Sequence, residues 1–163
     1  MRETYRQPLQ ILRNPGKGKF VEVSEQVGLK AVGMFSARGG AYADYDYDGD
    51  LDLVVSIMDA RPLLLRNDAA PEGKSKWLRL KLEGTKSNRG GVGARVKLTA
   101  GGNTQFATVR AGEGYLSSND SRLHFGLGRA GTADVEVVWP SGARTRHNGL
   151  AAGSEHRLRE SPE

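Results

Sequence analysis

Residues 44–52 read Asp-Tyr-Asp-Tyr-Asp-Gly-Asp-Leu-Asp, with carboxylates at every second position. The chemistry of such a run is capture of a hard cation, because Ca2+ takes six to eight oxygen ligands, many of them carboxylates. In loops of the Asp-x-Asp-x-Asp-Gly type the chain wraps around the ion and alternate residues present oxygens. Asp44, Asp46 and Asp48 take the first three ligand positions, and Gly49 makes the sharp turn after them. Asp50 falls where the backbone carbonyl binds, and Asp52 falls two residues further on. The helix-flanked version of this loop needs a bidentate Glu where this chain has Val55, so that version is excluded. Mg2+ fits less well, since it keeps more of its water and takes fewer protein ligands. A disordered acidic tail fits poorly too, because Tyr45, Tyr47 and Leu51 are interleaved with the charges.

The elements that must hold this loop read as strands. Leu51, Leu53, Val55 and Ile57 recur at period 2, and Val54 makes the centre apolar on both faces, which predicts a buried strand. Gly40–Ala43 predicts a short strand before the loop. The expectation is a β-hairpin with a calcium ion in its connection and Asp52 reaching back from the second strand.

Composition sets the frame. The 163 residues include 22 glycines and 6 prolines, and helical periodicity is nearly absent, which predicts an all-β fold of one domain or two small ones. There is no cysteine, so disulfides and thiolate metal sites are excluded. No run of 18 apolar residues occurs. Residues 1–7 lack the apolar core of a signal peptide, so the chain is either not exported or lacks its natural beginning.

Charge divides the chain. Residues 1–73 carry 9 basic and 11 acidic residues, whereas residues 74–163 carry 15 basic and 8 acidic ones. The split predicts two modules, with 68–76 as a short linker or turn between them. A basic second module suits nucleic acid or acidic glycans, although its basic residues are spread, as on solvated strand faces.

The first module contains a repeat. Leu9-Gln-Ile-Leu-Arg-Asn14 returns as Leu63-Leu-Leu-Arg-Asn67, each followed by a turn and then an aromatic, Phe20 or Trp77. The period is near the ~50 residues of some propeller blades. Leu9–Asn14 and Phe20–Val23 predict a hairpin around Pro15–Gly18, with one helical turn at Ser24–Val27 and a connection over Lys30–Gly39. Pro62–Arg66 predicts a third strand for the calcium hairpin. Two partial blades cannot close a propeller, so self-association, a parent chain or a partner is expected to complete this β region, whose exposed edges recruit strands. The second module predicts seven strands, at Trp77–Glu83, Gly93–Ala100, Gln105–Ala111, Arg122–Gly126, Ala133–Trp139, Ala143–His147 and Glu155–Arg159, in a β-sandwich or small barrel.

Other motifs weigh less. Gly126-Leu-Gly-Arg-Ala-Gly131 fits the dinucleotide pattern, but a strand rather than a helix is predicted after it. Ser117, Ser118, Asp120 and His124 lack a nucleophile-elbow context, and no enzyme is expected. Tyr115 and Trp139 could offer aromatic faces to a sugar or base. Arg95, Arg110 and Arg122 are the candidate ligand-binding arginines, within a set that includes Arg89, Arg144 and Arg146.

Asp44–Val55 followed by Leu64–Asn67 resembles an FG-GAP/VCBS-type repeat, the calcium-bearing blade unit of integrin-like propellers. The second module resembles the ASPIC/UnbV domain through Gly91–Val96, Gly112–Ser117, Asn119-Asp120, Arg122–Gly128 and Trp139–Gly142. Together they resemble the C-terminal arrangement of bacterial relatives of cartilage acidic protein. The resemblance implies calcium at Asp44, Asp46, Asp48, Asp50 and Asp52 in an extracellular or cell-surface, non-enzymatic binding or adhesion protein. The alternative is nucleic-acid or polyanionic-glycan binding by the basic module.

Overall fold

The computed structural model describes residues 5–16, 18–58, 60–68 and 76–161. Most of the expected linker at 68–76, the boundary between residues 73 and 74, Lys17 of the first turn and the first four residues lie outside that set. Within it the chain is all-β, with several sheets and none closed. Only one turn of 3-10 helix, Leu29–Val32, interrupts the strands.

The first part holds three small sheets. β1 (Gln7–Pro8) pairs with β4 (Met34–Phe35), and β2 (Leu12–Arg13) pairs with β3 (Val21–Glu22). β5 (Ala37–Ala43), β6 (Asp52–Ile57) and β7 (Leu63–Leu65) form an antiparallel meander. The hairpins around Pro15–Gly18 and around the acidic loop therefore appear where the turn chemistry and the period-2 pattern put them. The segment Lys30–Gly39, expected as a plain connection, instead carries the 3-10 turn, β4 and the start of β5. Gly28 and Gly33, both at positive φ, bracket that turn.

Val54 also departs from expectation. It is 44% exposed, because only one face of the β5–β6–β7 sheet is covered, while Val55 on the other face is 6% exposed. Among the described residues before 69, Val23, Leu29 and Val55 are the buried apolar ones. Leu12, Phe20, Val21, Met34 and Leu64 are all exposed. A part with so little interior depends on contacts outside itself to hold its shape.

The second part has that interior. A four-stranded sheet runs β10 (Asn103–Thr108), β9 (Arg95–Ala100), β12 (Thr132–Val138), β13 (Arg144–Ala151). A three-stranded sheet runs β11 (Leu123–Gly128), β8 (Lys76–Glu83), β14 (Ser154–Arg159). Neighbours are antiparallel except β8 and β14. Alternation decides which face is inside: Leu78, Leu80 and Leu82 of β8, Val96 and Leu98 of β9, Phe125 of β11, Val135 and Val137 of β12 and Leu158 of β14 meet in one cluster. Each such aliphatic or aromatic side chain contributes about 1.5–3 kcal/mol on burial.

Trp139 joins this cluster at 2% exposure and donates from Nε1 to Thr145 Oγ1 at 3.0 Å. It offers no face to a ligand, contrary to the sequence expectation, because the residue after β12 still points inward and the Pro140–Gly142 turn folds over it.

A buried carboxylate closes the far end. Glu160 is fully buried beyond β14 and accepts from the backbone N–H groups of Thr85 (2.7 Å), Lys86 (2.9 Å) and Ser87 (2.7 Å). The hydroxyls of Ser87 and Ser141 donate to its other oxygen. Burial alone would raise its pKa, but these donors override that and hold it at about 2.

Candidate functional site

The acidic loop is closed at its base by Asp52, the first residue of β6, opposite Ala43. Asp52 is 2% exposed, and its oxygens accept from the N–H groups of Tyr45 (3.1 Å) and Asn67 (2.9 Å). Asn67 Nδ2 in turn donates to the Leu51 carbonyl at 3.3 Å. The repeated Leu-Arg-Asn phrase thus ends in a residue that clips the loop to β7. Its earlier copy Asn14 instead caps the Pro15–Gly18 turn, accepting from Gly16 N–H at 2.9 Å.

Inside the loop the chain curls so that Asp44, Asp46 and Asp48 each present a carboxylate oxygen within 4.8 Å of the others. Asp44 is 3% exposed, whereas Asp46 and Asp48 face solvent. Asp48 Oδ1 accepts from Asp50 N–H at 2.9 Å, and Asp44 Oδ2 accepts from Gly49 N–H at 3.1 Å. Desolvation in the curl, with the charge of Asp48 beside it, pushes the Asp46 carboxyl up. Asp44 Oδ1 is buried and has no hydrogen-bond partner among the described residues. A buried carboxylate oxygen left unpaired is costly, and three carboxylates with oxygens this close together are a donor set that suits a hard cation. Asp50 and Asp52 stand outside this three-carboxylate cluster.

The loop does not stand alone. Arg79 lies on the outer face of β8, where alternation predicts a solvent-facing side chain. It is 3% exposed, because the acidic loop lies across it and Asp44 Oδ2 forms an ion pair with its guanidinium. The guanidinium also sits over the ring of Trp77, at 5.1 Å, and of Tyr47, at 5.9 Å. Gly49, at φ +99°, rests against the Trp77 indole so closely that a Cβ there would come within 2.0 Å of Nε1. The loop glycine therefore serves the turn and the docking at once. His124 of β11 stacks on Trp77, the ring centroids 5.7 Å apart at an interplanar angle of 18°. Desolvation first and the Arg79 charge second lower the His124 pKa, against Asp44 and Asp50, so the imidazole is neutral at pH 7.

A second contact fixes β5. Its Tyr42 donates N–H to Asn119 Oδ1 at 3.1 Å and Oη–H to Glu113 at 3.1 Å, and its carbonyl accepts from Asp120 N–H at 3.4 Å. The connection 109–122 between β10 and β11 thereby covers the free edge of the meander. Sequence reasoning missed Arg79, Trp77, Tyr42 and Glu113 as members of this arrangement. The available signal was the pairing of a lone outward arginine in an apolar strand with an acidic loop of excess charge.

The candidate arginines do not all line one cavity. Arg110 and Arg122 line the same cavity, whereas Arg95, Tyr115 and Trp139 do not line it. Arg110 pairs with Glu113 at 2.7 Å, and Arg122 pairs with Asp120 and with Glu155, the latter at 2.9 Å. Arg146 lies 3.7 Å and Lys97 3.9 Å from Glu136. Tyr115 is exposed on the 109–122 connection, next to Leu116. Of the hydrolase-like group, Ser118 Oγ donates to the Ala111 carbonyl and Asp120 is held by Arg122.

Residues 84–163 match the family model described as ASPIC and UnbV. The chain carries an ASPIC and UnbV domain. It is also similar to cartilage acidic protein 1 of Homo sapiens, 32% identical over 152 residues that cover 92% of this chain and 22% of the relative. The protein of the same name from Mus musculus is 36% identical over 134 residues, covering 81% of this chain and 20% of the relative. That from Xenopus tropicalis is 36% identical over 106 residues, covering 64% of this chain and 16% of the relative. The chain thus spans about a fifth of the length of these relatives. The ASPIC and UnbV match begins just after β8, so Arg79 and Trp77 precede it and join it to the acidic loop. No described helix is long and apolar enough to cross a membrane.

Proposed function

We propose that this chain is a calcium-braced, non-enzymatic binding or adhesion module of an extracellular or cell-surface protein. Two observations carry the reading: Asp44, Asp46 and Asp48 each bring a carboxylate oxygen within 4.8 Å of the others, and Asp44 keeps a buried Oδ1 without a hydrogen-bond partner among the described residues. Asp44, Asp46 and Asp48 would hold the ion through side-chain oxygens. Asp50, by its carbonyl, and Asp52, at the base of the loop, complete the set that an FG-GAP/VCBS-type blade would use. Calcium would supply charge neutralisation and a fixed loop shape, not a reaction.

The brace has a mechanical consequence. Asp44 belongs to the acidic cluster and also pairs with Arg79 through Oδ2, so a cation that fixes the loop also fixes how the loop lies on β8. The likeness to cartilage acidic proteins supports the extracellular location. The exposed apolar residues of β2, β3, β4 and β7 support a further β element or second copy that completes the first part.

Calorimetric titration tests the ion directly. One calcium site is expected, weaker for magnesium, and lost in Asp46→Asn and Asp48→Asn, whose side chains are exposed and leave the Arg79 pair intact. Undetectable calcium binding at millimolar ion would overturn the reading.

A further inference from the structure

A cavity of about 270 Å3 lies where the 109–122 connection meets β5 and β11. It is separate from the three-carboxylate cluster and is walled by both parts of the chain. Its polar wall includes Tyr42, Arg110, Glu113, Asn119, Asp120 and Arg122. Leu51, Ala107 and Leu123 make an apolar wall beside them. Ordered connections of this length are uncommon in compact domains, and functional loops are among the usual reasons for one.

The polar side chains are already held in place. Glu113 receives Tyr42 Oη, Asn119 Nδ2 at 2.9 Å and Arg110 at 2.7 Å. Arg122 donates from Nε to Asp120 at 2.7 Å while its other end reaches Glu155. A ligand entering such a wall does not have to order it, which favours binding.

Charge decides the ligand class. Two guanidinium groups face two carboxylates, each engaged with its partner. The hydrogen bonds of Asn119 and Tyr42 keep Glu113 low, and Arg122 overrides burial to keep Asp120 low. A sulfate or phosphate at the arginines would also meet the like charge of Glu113 and Asp120 beside them. A hydroxyl group does not, since it donates to a carboxylate and accepts from a guanidinium at the same time. A ring with hydroxyls on its edge and C–H groups on its face matches alternating charges beside an apolar wall. The volume is just below the ~300–1,000 Å3 of drug-sized sites, which suits a single ring.

We propose that this cavity binds one uncharged sugar ring, free or as part of a glycan, with Glu113, Asp120 and Asn119 meeting its hydroxyls and Arg110 closing the rim. The proposal gives a ligand class to the binding-module reading and does not depend on the cation.

The test is 1H–15N NMR titration of the full chain with methyl glycosides of glucose, galactose, mannose and N-acetylglucosamine, beside a sulfated chondroitin disaccharide. At least one uncharged glycoside should shift the amides of Tyr42, Asn119 and Arg122. Arg110→Gln, whose side chain is exposed and risks no fold, should weaken that glycoside about tenfold. Glu113→Gln should do the same, with unchanged dispersion of the core amides. No binding by any uncharged glycoside, shifts confined elsewhere, tighter binding of the sulfated disaccharide at these residues, or indifference to Arg110→Gln would each overturn the proposal. Calcium titration of the same sample separates this outcome from failure of the ion reading.

Discussion

Arg79 and Asp44 join the two parts of this chain through an ion pair that solvent barely reaches, their side chains being 4% and 0% exposed. The guanidinium also lies within cation–π distance of the Trp77 and Tyr47 rings. Removing one member strands the other without a partner in a desolvated site, which costs roughly 3–5 kcal/mol. Arg79→Ala should therefore lower unfolding free energy by about that amount in urea titration. Arg79→Met with Asp44→Asn, which removes both charges, should recover much of it. A double variant that loses as much as Arg79→Ala would contradict the stranded-charge explanation and show that the pair itself carries the stability.

Gly49 is required twice, by its left-handed backbone and by the indole beneath it. Gly49→Ala should lift the loop from Trp77 and destabilise the chain by at least about 1 kcal/mol. Trp139 is buried in the core and keeps its environment. A red shift in tryptophan emission can then be assigned to Trp77, and an unchanged spectrum with unchanged stability would contradict the docking.

Glu160 gives an acid-sensitive contribution. Its folded pKa of about 2 is depressed from 4.5, so the stability it adds is present above pH 4.5 and is lost as pH falls toward 2. Glu160→Gln should destabilise at pH 7 and flatten the fall in stability over that window, as read by urea midpoints at successive pH values. A variant with the same acid slope as the parent would refute this assignment.

Much of the architecture was legible in the sequence because alternation is a strong signal where one face is buried. Leu78, Leu80 and Leu82 announced β8, and all seven strands of the second part appear at or near their expected positions. The acidic loop announced a hairpin for the same reason, with Ala43 opposite Asp52. Long-range relations were not legible. Arg79 reads as an outward residue within β8, and only the fold brings a loop 35 positions away over it. Trp139 reads as an available aromatic because a strand pattern does not reveal that its last residue caps the core. Nor was it legible that Arg110 and Arg122 pair with acids, because Glu113 and Glu155 come from a separate turn and strand.

The measurement that bears most directly on the calcium brace is thermal unfolding of the full chain in calcium and in EDTA at matched ionic strength, with Asp46→Asn alongside. A ligand that binds only the folded state at about a hundred times its Kd adds about 2.7 kcal/mol, which moves Tm by several degrees for a chain of this size. The account predicts that calcium raises the parent's Tm by that amount and leaves Asp46→Asn unmoved. Identical melting of the parent in calcium and in EDTA would contradict it.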